Sequence, residues 1–134
     1  MNEFVYNKNV ELRDNMLFNG YNPKAYRGGL RSFERLSYRE LKWLVDNHFA
    51  NPEDSQNWAP SIANFLKFME NHKGFYVGGY AISPDREDYR VSIDSIGCDD
   101  DILEDKEALV DFVEMFRFAD DFSIVDGGAN AWFD

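Results

Sequence analysis

The longest stretch of helical periodicity covers residues 99–121, DDDILEDKEALVDFVEMFRFADD. Rotating by 100° per residue from Glu104 gathers Leu109, Phe112, Val113 and Phe116 on one face. Glu104, Glu107, Asp111 and Glu114 fall on the opposite face, at spacings of 3, 4 and 3. The pattern predicts one amphipathic helix with an acidic entrance and an acidic exit at Asp120 and Asp121. One of Asp99, Asp100 and Asp101 is expected to cap it. With Asp101 as the N-cap, Glu104 would complete a capping box.

Two earlier segments share this period. Ser37 and Glu40 have capping-box spacing, with Leu36 and Leu41 placed for a hydrophobic staple. Leu41, Leu44, Val45, His48 and Phe49 then repeat on one face until Asn51-Pro52. A second helix is expected from near residues 54–58, which puts Pro60 in its first turn. Ile62, Phe65, Leu66 and Met69 form its apolar face, and Gly74 stops it.

Elsewhere the period is two. FYVGGYAIS reads as a strand, SPDRED as a polar turn and YRVSIDSI as the returning strand, with Gly78-Gly79 marking a bulge or a close backbone approach. DFSIV, a DGG turn and ANAWF predict a second hairpin. Trp132 and Phe133 then point to opposite faces, one into the core and the other covered or in a contact surface. Trp43 and Trp58 are expected to pack on helix faces.

The first 20 residues are ambiguous: FVYNKNV reads as a short strand, VELRDNMLF as a helical turn or two. Residues 21–35 read as mostly irregular because Gly28-Gly29 interrupts them. The expectation is therefore an α+β fold in two layers: an antiparallel sheet of about four strands, made of two hairpins joined by a helix, with two N-terminal helices packed on it. One domain spanning 1–134 suits the length.

Composition narrows the class. Apolar residues make up 44% of the chain, with 12 phenylalanines, which argues for a packed core despite a net charge of −11. The single cysteine, Cys98, excludes an intramolecular disulfide and fits a reducing compartment. The N-terminus lacks a signal pattern and FYVGGYAI is too short to span a bilayer, so the expectation is a cytoplasmic protein without membrane contact.

Charge is the most informative property. Residues 1–50 hold 8 basic and 6 acidic residues, residues 51–90 hold 4 and 6, and residues 91–134 hold 2 and 13. This excludes a uniformly basic nucleic-acid binder and suggests a charged partner, or two ends of the chain that meet. The residues four positions after Glu104, Glu107, Asp111 and Glu114 are Ala108, Asp111, Met115 and Phe118, where Lys or Arg would have been supportive.

The run Asp99, Asp100, Asp101, Glu104 and Asp105 offers hard oxygen ligands, but it lacks the spacing and glycine of a calcium loop. Carboxylates facing a helix dipole explain it better, and no metal is expected. A basic counterpart lies at Arg27, Arg31, Arg35 and Arg39, interleaved with Tyr26, Phe33 and Tyr38. That segment could hold an anion, or pair with carboxylates such as Glu34, Glu40 or the C-terminal acids. Cys98 precedes three aspartates, which raise a thiol pKa, and reads as a packing residue. His48 and His72 lie at helix ends, suited to the dipole. Asp94 and Asp126 are an acid–base pair on paper.

No enzyme motif is present and no cofactor is expected. The leading expectation is a small acidic binding protein whose helix face (Glu104, Glu107, Asp111, Glu114, with Asp120 and Asp121) engages a basic protein surface. Such a face could imitate the charge of DNA and block a nucleic-acid-binding protein, without itself contacting nucleic acid. The alternative is an enzyme or ligand module that holds a small anion with Arg27, Arg31, Arg35 and Arg39. Head-to-tail self-association, basic segment to acidic helix, is a third reading.

Overall fold

Helix α1 (Val10–Phe18) is followed by a 3-10 turn at Pro23–Ala25, strand β1 (Leu30–Leu36), helix α2 (Tyr38–Asp46) and helix α3 (Ile62–Asn71). Then come β2 (Phe75–Ile82), β3 (Val91–Cys98), a second 3-10 turn (Ile102–Glu104), α4 (Lys106–Phe116), β4 (Asp121–Val125) and β5 (Gly128–Trp132). The computed structural model describes residues 3–99, 102–125 and 127–134, with the backbone alone for Leu103. Asp100 and Asp101, expected near a helix cap, and Asp126, expected beside Asp94, lie outside the described residues.

The fold is α+β, with one antiparallel sheet in the order β1-β2-β3-β5-β4. It has five strands where about four were expected. The additional strand is β1, in a segment read as irregular. Gly28 and Gly29 do not break order there. With φ of +62° and +82° they make a two-residue turn, across which Arg27 and Leu30 exchange backbone hydrogen bonds of 2.8 and 3.1 Å. Alternation is hidden further on because β1 shifts register between Phe33 and Leu36, with Arg35 at φ +57°. Phe33 and Leu36 are both buried although three residues apart.

Two helix starts also move. The capping box of α2 forms as expected: the Ser37 side chain accepts from the Glu40 amide, and the Ser37 amide donates to the Glu40 carboxylate. Helix α3 begins later than expected, because Ser61 caps it through the Asn64 amide and Pro60 stays outside. The acidic helix is shorter at both ends than 99–121. Asp105 accepts from the Ala108 amide at 3.1 Å and opens α4, and Arg117 closes it. Helix α1 takes up nine of the ambiguous N-terminal residues, capped by Asn9.

Phenylalanines join the layers. Phe65 and Phe68 of α3, Phe75 of β2 and Phe112 and Phe116 of α4 are buried together, with ring centroids 4.8–6.2 Å apart and Phe122 of β4 stacked 5.4 Å from Phe112. Each fully buried ring contributes about 1.5–3 kcal/mol, which ties α3 and α4 to one face of the sheet. Phe33, Leu36, Leu41 and Leu44 extend the same core under α2.

A different device holds α1. Adjacent residues Arg13 and Asp14 are both fully buried. The Arg13 Nε donates to Asp14 Oδ1 at 2.8 Å, Nη1 to the Ile82 carbonyl at 3.0 Å and Nη2 to the Tyr26 hydroxyl at 2.8 Å. The Tyr26 hydroxyl in turn donates to Asp14 Oδ2, and the Arg13 guanidinium lies 4.7 Å from the Tyr89 ring centre. Each guanidinium nitrogen and each carboxylate oxygen of the pair has a hydrogen-bond partner, the condition under which buried charges are tolerated.

Candidate functional site

Register assigns the two faces of the sheet. Val77, Ile96, Ala131 and Phe122 form one cross-strand row toward the helices. Tyr76, Gly97, Asn130 and Ser123 form a row on the opposite side, and Gly78, Ser95, Trp132 and Asp121 form another. Helices cover the first face. On the second, a cleft of about 420 Å³ runs over a floor of small residues including Gly78, Ser95 and Gly97, between Arg35 and Tyr76 on one side and Ser123 and Val125 on the other. The glycine at 97 is required by the pairing itself, since a Cβ there would stand 2.8 Å from the Ala129 carbonyl.

The four arginines do not converge on this cleft. Arg27 is exposed at the Gly28-Gly29 turn, and Arg39 is exposed in the first turn of α2. Arg31 lies 3.9 Å over the Phe18 ring and donates to the Gly20 carbonyl. Arg35 alone lines the cleft, stacked 4.7 Å from the Tyr76 ring centre and paired with Asp99. This pairing holds the Asp99 carboxyl below the usual carboxylate range, through the hydrogen bond first and the charge second. Of the pairings open to the arginines, the one with a C-terminal acid forms.

The acidic residues divide among the second 3-10 turn, α4, the bend that follows it and β4. Glu104 belongs to the 3-10 turn ahead of α4, not to its face. Glu107, Asp111 and Glu114 stay on the exposed side of α4, opposite buried Ala108, Phe112 and Phe116. Asp120 accepts from the Asp134 amide at 2.8 Å. Asp121 begins β4, directly across from Trp132. The three helix carboxylates span about 10 Å, with Val110 exposed between them and Lys106 beside them around a shallow hollow. Among the described residues neither Glu107 nor Glu114 has a basic partner within 4 Å. Asp111 differs: His72, the C-cap of α3, brings Nε2 within 2.7 Å of its carboxylate.

Other expected residues settle in structural roles. Cys98 ends β3, partly packed on the core. His48 stacks 5.0 Å from Phe4. Among the described residues, no group of three or more His, Cys, Asp or Glu could hold a metal ion, and no helix is long and apolar enough to cross a membrane. Phe133 is the core member of the C-terminal aromatic pair, and Trp132 remains 41% exposed. Trp43 stacks on Phe49 at 5.6 Å, as a helix-face residue would.

Trp58 is the clear departure. Expected on a helix face, it lies in the loop before α3, 99% exposed and at φ +69°. Its displacement follows from the later start of α3. The sequence carried a signal for this: Asn57, Pro60 and Ser61 around Trp58 are loop and cap residues. No protein-family model, curated protein or solved structure matches this chain.

Proposed function

We propose that this protein is a non-enzymatic binding protein that engages a basic protein surface through the outer side of α4. The observation that carries the reading is the state of Glu107 and Glu114: exposed on one helix face, with no cationic partner among the described residues. Uncompensated like charge lowers the stability of the compact state, so a face that keeps it is suited to a partner that supplies the opposite sign. Val110, exposed among these carboxylates, adds an apolar contact of the kind interfaces use. Negative groups about 5 Å apart along a helix form a sparse analogue of a phosphate row, so the partner class favoured is a protein whose own basic groove receives nucleic acid.

The test uses decalysine as the probe. Its affinity should fall steeply as salt rises from about 50 to 200 mM, and the triple variant Glu107→Gln, Asp111→Asn, Glu114→Gln should lose most of the binding. Salt-independent binding, or binding unchanged in the triple variant, overturns the reading. A second reading, a module for a small anionic molecule, is supported by the cleft beside Arg35, whose volume falls within the range of ligand pockets. Thermal shifts with nucleotides and phosphosugars test it.

A further inference from the structure

The loop before α3 and the end of β5 meet. Asn57 Nδ2 donates to the Phe133 carbonyl at 3.4 Å, and the Phe133 amide donates to the Asp94 carbonyl at 2.8 Å. This brings Trp58, one residue beyond Asn57, to the end of the molecule where Trp132 is exposed. Carboxylates gather on its Trp132 side. Asp94 lies against the Trp132 indole, Asp121 is the cross-strand partner of Trp132, and Asp134 and Asp120 are joined by a hydrogen bond.

Trp58 contributes almost no packing to its own fold, because it is 99% exposed. Its backbone also occupies the left-handed region, which a bulky side chain adopts only at a cost. Elsewhere the chain covers its aromatic rings with its own cations: Arg31 on Phe18, Arg35 on Tyr76 and Arg117 on Phe118. Among the described residues no lysine or arginine stands over Trp58 or Trp132. Indole is the aromatic ring that attracts a cation most strongly, and guanidinium both stacks on it and pairs with carboxylates.

We infer that Trp58 and Trp132, with Asp94, Asp121 and Asp134 on the Trp132 side, form a docking site for an arginine-bearing segment of a partner protein. The inference rests on the reading that the partner is basic and adds which cation it presents and where. Two indoles supply the apolar contact, and the acids on the Trp132 side select positive charge. Trp132 follows directly from the open side of the sheet, since its neighbour across β3 is Ser95, which lines the cleft. An extended segment anchored by arginine at the tryptophans can therefore continue over the small-residue floor.

The experiment titrates the full chain with deca-arginine and with decalysine while following the indole N–H resonances. Those of Trp58 and Trp132 should move, while that of Trp43, stacked on Phe49, should not. Deca-arginine should bind about two- to five-fold more tightly than decalysine, and Trp58→Ser, at a position that supports no packing, should abolish that preference. If Trp58→Ser binds both peptides as the parent does while the α4 triple variant binds neither, the docking site is wrong and the acidic-helix reading stands. If the triple variant still binds and Trp58→Ser loses the arginine preference, the docking site stands and the helix reading fails. Failure of both peptides to bind the parent overturns both. Self-association of the parent in the absence of peptide, lost in Trp58→Ser, would assign the indoles to a second copy and overturn the arginine site.

Discussion

Replacing Glu114 by Gln isolates the electrostatic cost of the acidic face. Glu114 lies in the last turn of α4, a helix with no basic residue in that turn. A carboxylate there faces the negative end of the helix dipole, which costs about 0.3–1 kcal/mol. Asp111, three residues earlier, adds like-charge repulsion of about 0.2–0.5 kcal/mol. Arg117, three residues later, gives no relief, because its guanidinium lies 4.8 Å from the Phe118 ring centre and forms no ion pair with Glu114. Together these predict a gain of about 0.5–1.5 kcal/mol for Glu114→Gln at low salt. At about 2–4 °C per kcal/mol for a domain of this size, the melting point should rise by about 1–6 °C. The gain should vanish near 1 M salt, where the screening length falls to about 3 Å. Asp111→Asn is the internal control: it weakens a contact with His72 Nε2, so it should gain nothing or lose stability. Thermal melts of the parent and both variants at low and high salt decide the matter. A fall in melting point for Glu114→Gln, or a rise that persists at high salt, would refute the claim that this carboxylate is held against the stability of the fold.

Three further perturbations test the structure elsewhere. Asp14→Asn leaves the buried Arg13 charge without its partner and should cost about 3–5 kcal/mol, or about 6–20 °C in melting point; the double change Arg13→Met, Asp14→Leu should recover much of that loss, and equal losses for the two would contradict the account of the network. Gly79→Ala places a Cβ 1.8 Å from the Ser92 carbonyl across β2 and β3, so a loss of about 3 kcal/mol or more is expected in chemical denaturation, and a neutral result would show that this strand pair separates more readily than its register implies. Burial, followed by the charge of Asp134, raises the Asp94 pKa, while the Trp132 indole and the Ser95 side chain oppose the shift; the protonated form therefore adds stability that is full below about pH 4 and is lost as pH rises through the folded-state value, and Asp94→Asn should be more stable relative to the parent at pH 7 than at pH 3.5, whereas a difference independent of pH would exclude the shift.

Much of the fold could be read along the chain because its signals are local. Ser37 and Glu40 form their capping box from residues three apart, and each member satisfies the other whatever the rest of the molecule does. The two hairpins and the buried faces of α2, α3 and α4 follow from apolar periodicity, since a face that repeats at 3.6 or 2 must be covered. The charge asymmetry, too, is a property of composition, and it survives folding as the exposed carboxylates of α4. Tertiary structure decided what depends on distant partners. β1 is a strand because β2 offers it an edge, and its bulge at Glu34–Arg35 removed the alternation that would have announced it. Ser61 and Asp105 won as helix caps over earlier candidates, which shortened the acidic helix and left Glu104 outside its face. Arg13 and Asp14, adjacent and polar, are buried only because the Ile82 carbonyl, Tyr26 and Tyr89 arrive from elsewhere to satisfy them. The meeting of Asn57 with Phe133, 76 residues apart in the chain, is what brings the loop that carries Trp58 to the end of β5.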